Sequence, residues 1–523
     1  MSRLLLLSTY ELGHQPLGVA GPAALLGGEG HDLRARDLAV EPLEPAEIDW
    51  ADGVVCSVPM HTALRLTLTA LAAVRERRPE IPVALHGLYA PAGAPQLRAG
   101  DLAVAGEAGG ALLVWAAGLD GLPRGGSRAG AEGAPGRPEG DGLAPAAAGR
   151  SGPAVRVEMG RPRRRAGSAS GAVAPFAPAE VPDRRVLPPL ERYTRLLGSG
   201  AARLVGSVEA SRGCSHRCRH CPVPAVYGGR TRAVAVEAVL ADVDQLVEAG
   251  AGHVHFADPD FLNRPAHASR LVAALHNRHP GLTFDATVKV SHVLRHRTVI
   301  EELGAAGCLF VVSAFESTSA VVLERLAKGH TAEDAAEAVR LLREAGIEPR
   351  PSFLPFTPWT EAEDIVAILD FVAAHDLVES VDAVQYGIRL LLPPGSLLLE
   401  DPDPVLSASL GGYDPDALGW TWSSADPRLD GLQREIAALA ELAAGQDEPA
   451  AATYTRVREV AVAVLGRRDP GAPEPDARSR AVPGARPHLS EAWFCCAEPT
   501  AGQVARIGVG GGRERAPVRG CSS

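Results

Sequence analysis

The sequence contains almost no lysine, since only Lys289 and Lys328 among its 52 basic residues are lysines and the others are arginines. It has no uncharged apolar run of the roughly 18 residues that a transmembrane helix needs. Its four early leucines are fewer than a signal peptide requires. The net charge of −11 gives no basic excess for binding nucleic acid or an anionic membrane. We therefore expect a cytoplasmic protein that binds neither nucleic acid nor membrane.

The first 120 residues have the pattern of a doubly wound parallel α/β sheet. Short apolar runs such as RLLLLS, GVVCSV and IPVALH alternate with helical stretches, as in βαβ units. Ligands of such sheets bind at the carboxyl ends of the strands, here the loops 9–18, 57–62, 86–90 and 106–109. No G-x-G-x-x-G follows the first strand, so a dinucleotide site lacks its phosphate turn.

The rest of the chain divides into four segments. Residues 121–180 are rich in Gly, Pro, Ala and Arg, which predicts a disordered linker. Strand–helix alternation over 181–400, with DAVQYGIRLLL as the last strand, predicts a full or partial β/α barrel of TIM type. Two alanine-rich amphipathic stretches predict a small helical region over 401–485, and 486–523 are predicted to be a flexible tail that contains WFCCAEP.

Three of the eight cysteines stand close together in RGCSHRCRHCP, where Cys214, Cys218 and Cys221 have the spacing C-x3-C-x2-C. In a reducing compartment, metal binding or catalysis is favoured over a disulfide. A structural zinc site needs four ligands, so a Cys3His site would recruit His216 or His220. A four-iron cluster held by three thiolates instead leaves one iron open to another ligand. The trio directly follows the first predicted barrel strand, where the active site of a barrel lies.

This motif after a first barrel strand resembles the signature of the radical S-adenosylmethionine (SAM) superfamily, and with the preceding sheet domain it resembles the cobalamin-binding branch. The resemblance implies that the trio holds a 4Fe-4S cluster, whose open iron binds SAM for cleavage to a 5′-deoxyadenosyl radical. It also implies cobalamin, an electron donor such as flavodoxin or ferredoxin, and methyl transfer to, or rearrangement of, an unknown small molecule or peptide. The alternative is a non-catalytic protein that stores iron-sulfur or zinc.

The resemblance also implies five SAM-binding residues: His220, Asp258, Ser313, Glu316 and Lys328. His220 stands where relatives carry an aromatic ring against adenine. HFADPDF puts Asp258 and Asp260 after the second strand, where relatives bind the SAM amino group, and SAFES puts Ser313 and Glu316 after the fourth. A helix cap or a surface carboxylate is the alternative for each. Chance, or a site that needs a compact ammonium group, explains why both lysines lie downstream of the trio.

The string WFCCAEP resembles the tail of the CUAEP/CCAEP-tail radical SAM family, in which some members have selenocysteine at the position of Cys496. The resemblance implies that Cys496 and Cys495 are catalytic, as a soft nucleophile, hydrogen-atom donor or metal ligand. The alternative is an inert thiol pair or a vicinal disulfide.

The motif D-x-H-x-x-G, by which some cobalamin domains ligate cobalt through histidine, does not occur in the sequence. The lower ligand of a bound cobalamin is then water, an unidentified residue or nothing, with His14, His61 and His86 as loop candidates. A domain that has lost its cofactor is the further alternative.

Overall fold

The computed structural model describes residues 1–119, 181–198, 200–466, 468–476, 486–491 and 497–507, together with residue 480 and the backbone of 156–158. Within these ranges the chain forms an amino-terminal sheet domain, an open half-barrel and a mainly helical carboxyl-terminal region. None of the helices in these ranges is long and apolar enough to cross a membrane.

The amino-terminal domain is a parallel sheet with helices on both faces. Its strands are β1 (Arg3–Ser8), β2 (Asp32–Asp37), β3 (Gly53–Ser57), β4 (Val83–His86), β5 (Leu102–Val104) and β6 (Arg156–Glu158). Its helices are α1 (Leu17–Gly28), α2 (Pro45–Trp50), α3 (His61–Arg77), α4 (Ala90–Gly93) and α5 (Gly109–Leu119). The strand order β2-β1-β3-β4-β5-β6 reverses beside β1, which confirms the doubly wound sheet and puts the ligand crevice at the loops after β1 and β3. Strand β6 falls inside the predicted linker, whose remaining residues are outside the described ranges.

Alternate residues of β1 enter two apolar cores, one on each face of this sheet. Leu5 and Leu7 pack with α2 and α3, whereas Leu4 and Leu6 pack with α1 and α5. All four side chains are at most 1% exposed. Burial on both faces explains why the run RLLLLS is continuously apolar.

The second large sheet is an open half-barrel from the middle of the chain. The strands that follow β6 are β7 (Arg195–Leu197), β8 (Arg203–Val208), β9 (Ser211–Gly213), β10 (Thr231–Ala233), β11 (Ala251–Phe256), β12 (Thr283–Thr287), β13 (Cys308–Glu316), β14 (Glu348–Phe353), β15 (Leu410–Asp414), β16 (Gly419–Trp422) and β17 (His488–Leu489). The sheet has the order β14-β13-β12-β11-β8-β7-β17, in which β8 and β11 to β14 are parallel and β7 and β17 are added antiparallel. The predicted partial barrel is confirmed.

Helices cover the outer face of the half-barrel and form the carboxyl-terminal region. They are α6 (Pro222–Tyr227), α7 (Val236–Glu248), α8 (Pro265–Arg278), α9 (Val290–Arg295), α10 (Arg297–Ala305), α11 (Ala320–Arg325), α12 (Ala332–Glu344), α13 (Ala362–Ala374), α14 (Pro404–Ser409), α15 (Pro427–Gln446), α16 (Ala450–Val464) and α17 (Ala501–Arg506). The predicted helical region contains α15 and α16, and it also contains the antiparallel hairpin β15–β16.

The prediction of a strand over DAVQYGIRLLL, residues 382–392, is wrong. A 3-10 turn over Ala383–Gly387 replaces it, followed by a single bridge from Arg389 to Phe356. The Gln385 side chain accepts a hydrogen bond from the Phe353 N–H at 3.1 Å, so it caps the end of β14. The apolar residues of this segment instead pack in a cluster beyond the sheet.

Buried contacts join the sheet domain to the half-barrel. Arg184 pairs with Asp242 at 2.6 Å and donates to Gln15 Oε1, in the loop after β1, at 2.9 Å. Nearby, the rings of His14 and His255 stack with centroids 4.5 Å apart and an interplanar angle of 8°. The carboxyl edge of the amino-terminal sheet is therefore held against the half-barrel.

Candidate active site

The cysteine motif occupies a loop closed by the hairpin of β9 and β10, in which Gly213 pairs with Thr231. Gly213 has a φ of 77°. A Cβ at this position would lie 2.9 Å from the Tyr227 ring and would collide with the Arg230 carbonyl oxygen. Glycine alone meets both demands, so the chain turns sharply directly before Cys214.

The three thiols of this loop are unbridged and mostly buried: Cys214 is 9% exposed, Cys218 is 8% exposed and Cys221 is half-buried. Burial raises the pKa of Cys221 to about 12, and it also raises the pKa of Cys214. These two thiols are therefore neutral at pH 7 until a metal displaces their protons. Among the described residues, the other cysteines are Cys56 in β3 and Cys308 in β13, both buried in cores away from the loop.

The turn after β11 fixes the cysteine loop at two points. Asp258 accepts hydrogen bonds from the Ala210 N–H at 2.9 Å and from the Ser211 hydroxyl, which anchors β9. Asn263 Oδ1 accepts from the Ser215 N–H at 3.0 Å and the Ser215 hydroxyl at 2.7 Å. The string HFADPDFLN therefore positions the loop, and the contact of Asp258 with SAM stays a prediction.

Both lysines of the chain lie beside this loop. Lys289 Nζ is 3.8 Å from Cys218 Sγ. Lys328 is 3% exposed, and its Nζ donates to Glu316 Oε1 at 3.1 Å. The same carboxylate oxygen is 3.1 Å from His220 Nε2. Three of the predicted SAM-binding residues therefore meet, and the location of both lysines favours a functional explanation over chance.

Glu316 combines backbone strain with a buried charge. Its φ of 64° is left-handed, which costs a non-glycine residue roughly 1–2 kcal/mol. Although burial opposes ionisation, the Lys328 ammonium and the His220 ring hold the pKa of Glu316 well below its usual range. The pKa of Lys328 is raised, because the Glu316 carboxylate outweighs the effect of burial. The site therefore holds a fixed negative charge at the carboxyl end of β13.

Other predicted residues lie apart from this network. Ser313 is 0% exposed, and its hydroxyl donates to the Val288 carbonyl at 2.7 Å. Its strand neighbours Val311 and Phe315, two positions away, belong to the helix-covered core, so Ser313 is on the same face. Cys495 and Cys496 lie outside the described residues.

Sequence reasoning missed His292 and did not connect it with His216 and Asp260. The rings of His216 and His292 lie 4.6 Å apart, and Asp260 Oδ2 is within 3.2 Å of a nitrogen of each ring. The cysteine loop, the turn after β11 and helix α9 contribute one residue each. No local spacing predicts a cluster assembled from three separate elements.

The loop histidines of the amino-terminal domain are all buried against other residues of the protein. His14 stacks on His255, and His61 Nε2 is 3.5 Å from Glu498 Oε1. His86 is 7% exposed, and burial lowers its pKa to about 4, against a weaker opposing effect of the Gly18 backbone. His14 Nδ1 and His61 Nε2 are buried and have no hydrogen bond, so these two histidines stay candidate ligands for cobalt.

Residues 497–507 of the predicted flexible tail are anchored on helix α3 of the amino-terminal domain. The Ala497 carbonyl accepts a hydrogen bond from the Thr62 hydroxyl at 2.7 Å, while the Ala497 side chain joins an apolar cluster of the carboxyl-terminal half. Glu498 forms an ion pair with Arg65. Helix α17 packs on α3, and Ile507 is 3% exposed in the amino-terminal core. Residues 497–507 are therefore docked, because their apolar and charged side chains find partners on α3.

The comparisons with known proteins agree with this architecture. A family model for the radical SAM superfamily matches residues 208–372. An uncharacterized methyltransferase of Pyrococcus horikoshii is 26% identical over 189 residues, 36% of this chain and 40% of that protein. The hopanoid C-2 methylase of Rhodopseudomonas palustris is 25% identical over 150 residues, 28% of each chain. The chain thus spans less than half the length of these curated relatives.

A solved structure of the cobalamin-dependent SAM radical enzyme OxsB, with aqua-cobalamin and SAM bound, is similar in fold to this chain. The alignment covers 84% of this chain and 66% of the OxsB chain. Its TM-score is 0.57 at 14% identity, which is a likeness of fold. The superfamily and fold predicted from the cysteine motif are confirmed, whereas none of these matches supports a non-catalytic store of iron-sulfur or zinc. The chain therefore carries a radical SAM domain over residues 208–372, and the fold of the larger part of the chain is similar to that of OxsB.

Proposed function

We propose that the protein is an enzyme that binds a 4Fe-4S cluster through Cys214, Cys218 and Cys221 and uses it to cleave SAM reductively. The observation that carries this proposal is the loop itself: three mostly buried thiols follow the first parallel strand, with no fourth thiol beside them among the described residues. This donor set fits a cluster that leaves one iron to SAM, whereas thiols alone would not complete a zinc site. When bound, the cluster supplies the electron that cleaves SAM.

Charged residues beside the loop support SAM binding. SAM carries an ammonium, a carboxylate and ribose hydroxyls, and each needs a partner of opposite charge or a hydrogen-bond acceptor. Glu316 supplies a fixed carboxylate whose position Lys328 and His220 hold. Lys289, beside Cys218, supplies an ammonium group that can pair with the SAM carboxylate. We assign the adenine to His220 and the ribose or methionine part to Glu316.

The reaction we favour is methyl transfer to a small molecule or peptide with the help of cobalamin. The names of the two curated relatives and the fold shared with OxsB support this choice. Among the three loop histidines, His14 and His61 keep a buried ring nitrogen without a hydrogen bond, so they are the candidates for the lower cobalt ligand of bound cobalamin. An electron donor such as flavodoxin or ferredoxin would reduce the cluster.

The tail thiols belong to the same proposal. Glu491 packs against Gly13 in the loop after β1, and Ala497 is bound to Thr62 at the start of α3. The residues on both sides of Cys495 and Cys496 therefore contact the ligand edge of the amino-terminal domain. A thiol near this edge would donate a hydrogen atom to the substrate or accept a group from it.

Anaerobic reconstitution tests the proposed SAM cleavage. Wild-type protein with iron, sulfide, SAM and a strong reductant should release 5′-deoxyadenosine, and Cys214→Ala, Cys218→Ala and Cys221→Ala should each abolish this release together with the cluster absorbance near about 400 nm. Cys308→Ala, a buried cysteine outside the loop, is the matched control and should retain both. A full cluster without any 5′-deoxyadenosine would refute the enzymatic proposal.

A second assay separates methyl transfer from rearrangement. Methyl transfer converts SAM to S-adenosylhomocysteine, so protein that holds cobalamin through gel filtration should form both nucleoside products and transfer methyl label from SAM into cell extract. Cys496→Ser should keep 5′-deoxyadenosine release but lose this transfer, Cys495→Ser should be milder, and Cys521→Ser should match wild type. Unchanged transfer in Cys496→Ser would remove the tail from the mechanism.

A further inference from the structure

The cluster His216, Asp260 and His292 has the donor set of a mononuclear metal site. Its three ligand atoms all lie within 4.8 Å of one another. Asp260 Oδ2 is 3.2 Å from His216 Nε2 and 2.8 Å from His292 Nδ1. Ligands about 2.0–2.2 Å from a shared ion, at right or tetrahedral angles, stand about 2.8–3.6 Å apart. The two measured separations fall in that interval.

Hydrogen bonding does not account for the arrangement. His216 Nε2, His292 Nδ1 and Asp260 Oδ2 are all buried, and none of them has a partner with hydrogen-bond geometry. The nitrogen–oxygen distances are short, but the angles are wrong for hydrogen bonds. This combination arises when the lone pairs of both ring nitrogens point to a place between the three atoms and not at the carboxylate oxygen. Three buried polar atoms without a hydrogen bond would be costly unless another group satisfies them.

The Asp260 carboxylate is oriented so that one of its oxygens, Oδ2, can bind a metal ion. Asp260 Oδ1 accepts a hydrogen bond from the Leu262 N–H at 3.2 Å, which orients the group and leaves Oδ2 directed at the histidines. Asp260 is 2% exposed and His292 is 5% exposed, whereas the His216 side chain is 20% exposed. The accessible side of the cluster is therefore the side of His216.

We propose that His216, Asp260 and His292 bind one divalent transition-metal ion of the zinc or ferrous class. This ion is separate from the iron-sulfur cluster proposed at the three cysteines. Two imidazoles and one carboxylate suit these metals. Three protein ligands leave at least one position open, so the ion takes water or an oxygen donor of a substrate on the His216 side. It also ties the cysteine loop to α9 and to the turn after β11. This assignment does not depend on the proposed SAM chemistry.

Zinc binding to the full chain tests the site without an activity assay. The variant Cys214→Ala/Cys218→Ala/Cys221→Ala should still bind one Zn²⁺ per chain, measured by elemental analysis after gel filtration. Adding His292→Ala or Asp260→Asn should weaken Zn²⁺ binding by more than the roughly 10- to 100-fold that loss of an outer-shell partner costs. His296→Ala, whose ring lies 5.5 Å from that of His292, is the matched control and should leave affinity unchanged. No zinc in the triple-cysteine variant, or equal losses in His292→Ala and His296→Ala, would overturn the proposal.

A spectroscopic measurement covers the case in which a variant does not fold. Wild-type protein with its cluster assembled, loaded with one equivalent of Zn²⁺, should give a zinc-edge X-ray absorption spectrum with two imidazoles, light-atom neighbours and no sulfur. Sulfur in the zinc shell would assign the ion to cysteine ligands and overturn the proposal.

Discussion

Replacing Lys328 by methionine isolates the electrostatic part of the candidate site, because methionine keeps the length of the side chain and removes its charge. Lys328 Nζ lies 3.1 Å from Glu316 Oε1, with side-chain exposures of 4% and 11%. At an effective dielectric constant of about 20, Coulomb's law gives about 5 kcal/mol for that separation. Much of this Coulomb energy offsets the desolvation cost of burying both charges. Lys328→Met leaves Glu316 buried with only His220, so we expect a loss of about 3–5 kcal/mol.

Urea unfolding of the half-barrel measures this loss, and a double-mutant cycle assigns it. Glu316→Gln should destabilise by a similar amount, because it leaves the Lys328 ammonium buried without a counter-charge. The double variant Lys328→Met/Glu316→Gln should be more stable than the sum of the two losses predicts, because neither charge remains. Losses below about 0.5 kcal/mol in both single variants, or simple additivity, would refute the reasoning.

The same pair determines a pH dependence. The pKa of Glu316 is lower in the folded protein than in the unfolded chain, so its contribution is complete above about pH 4.3 and is lost as the pH falls toward the folded value. The pKa of Lys328 is raised, so its contribution is complete below about pH 10.4 and is lost above the folded value. Wild type should lose stability on acidification more steeply than Lys328→Met/Glu316→Gln.

Three further predictions follow from single positions. Gly213→Ala should lower the iron content after reconstitution because its Cβ collides with the Arg230 carbonyl, whereas Gly281→Ala, which meets open space, should not; equal iron in both would contradict the loop argument. Arg184→Met leaves Asp242 buried and unpaired and should cost about 3–5 kcal/mol in urea unfolding, against less than about 0.5 kcal/mol for exposed Arg185→Met. Burial raises the pKa of Asp37 to about 7, so its contribution to stability should fall from about pH 4 to pH 7, because the unfolded chain ionises in that interval while the folded carboxyl stays protonated; Asp37→Asn should make the slope shallower in thermal melts, and an unchanged slope would contradict the prediction.

Sequence patterns were sufficient where the governing interactions are local. The continuous run RLLLLS predicted a strand of the parallel sheet, and the close spacing of Cys214, Cys218 and Cys221 places all three thiols on one short loop. The doubly wound sheet and the half-barrel followed from strand–helix alternation for the same reason. Short-range periodicity determines which face of each element is buried.

Long-range partners were beyond the reach of those patterns. Gln385 ends β14 by bonding the Phe353 N–H, so an apolar stretch with strand-like composition became a turn. His292 joins residues that lie 32 and 76 positions earlier in the chain, Asp260 and His216, which no spacing rule connects. The docking of residues 497–507 on α3 was also missed, because glycine and arginine content describes the tail without its partner surface.

That docking has a consequence for synthesis of the chain. Ile507, which covers part of the amino-terminal core, follows the end of α3 at Arg77 by 430 residues. At roughly 5–20 residues per second, the ribosome delivers it about 20–90 s after the helix it covers. During that interval the amino-terminal domain presents an uncovered apolar surface on which chaperones can act. A chain that terminates between residues 490 and 497 would have every strand of the half-barrel and would still leave this surface uncovered.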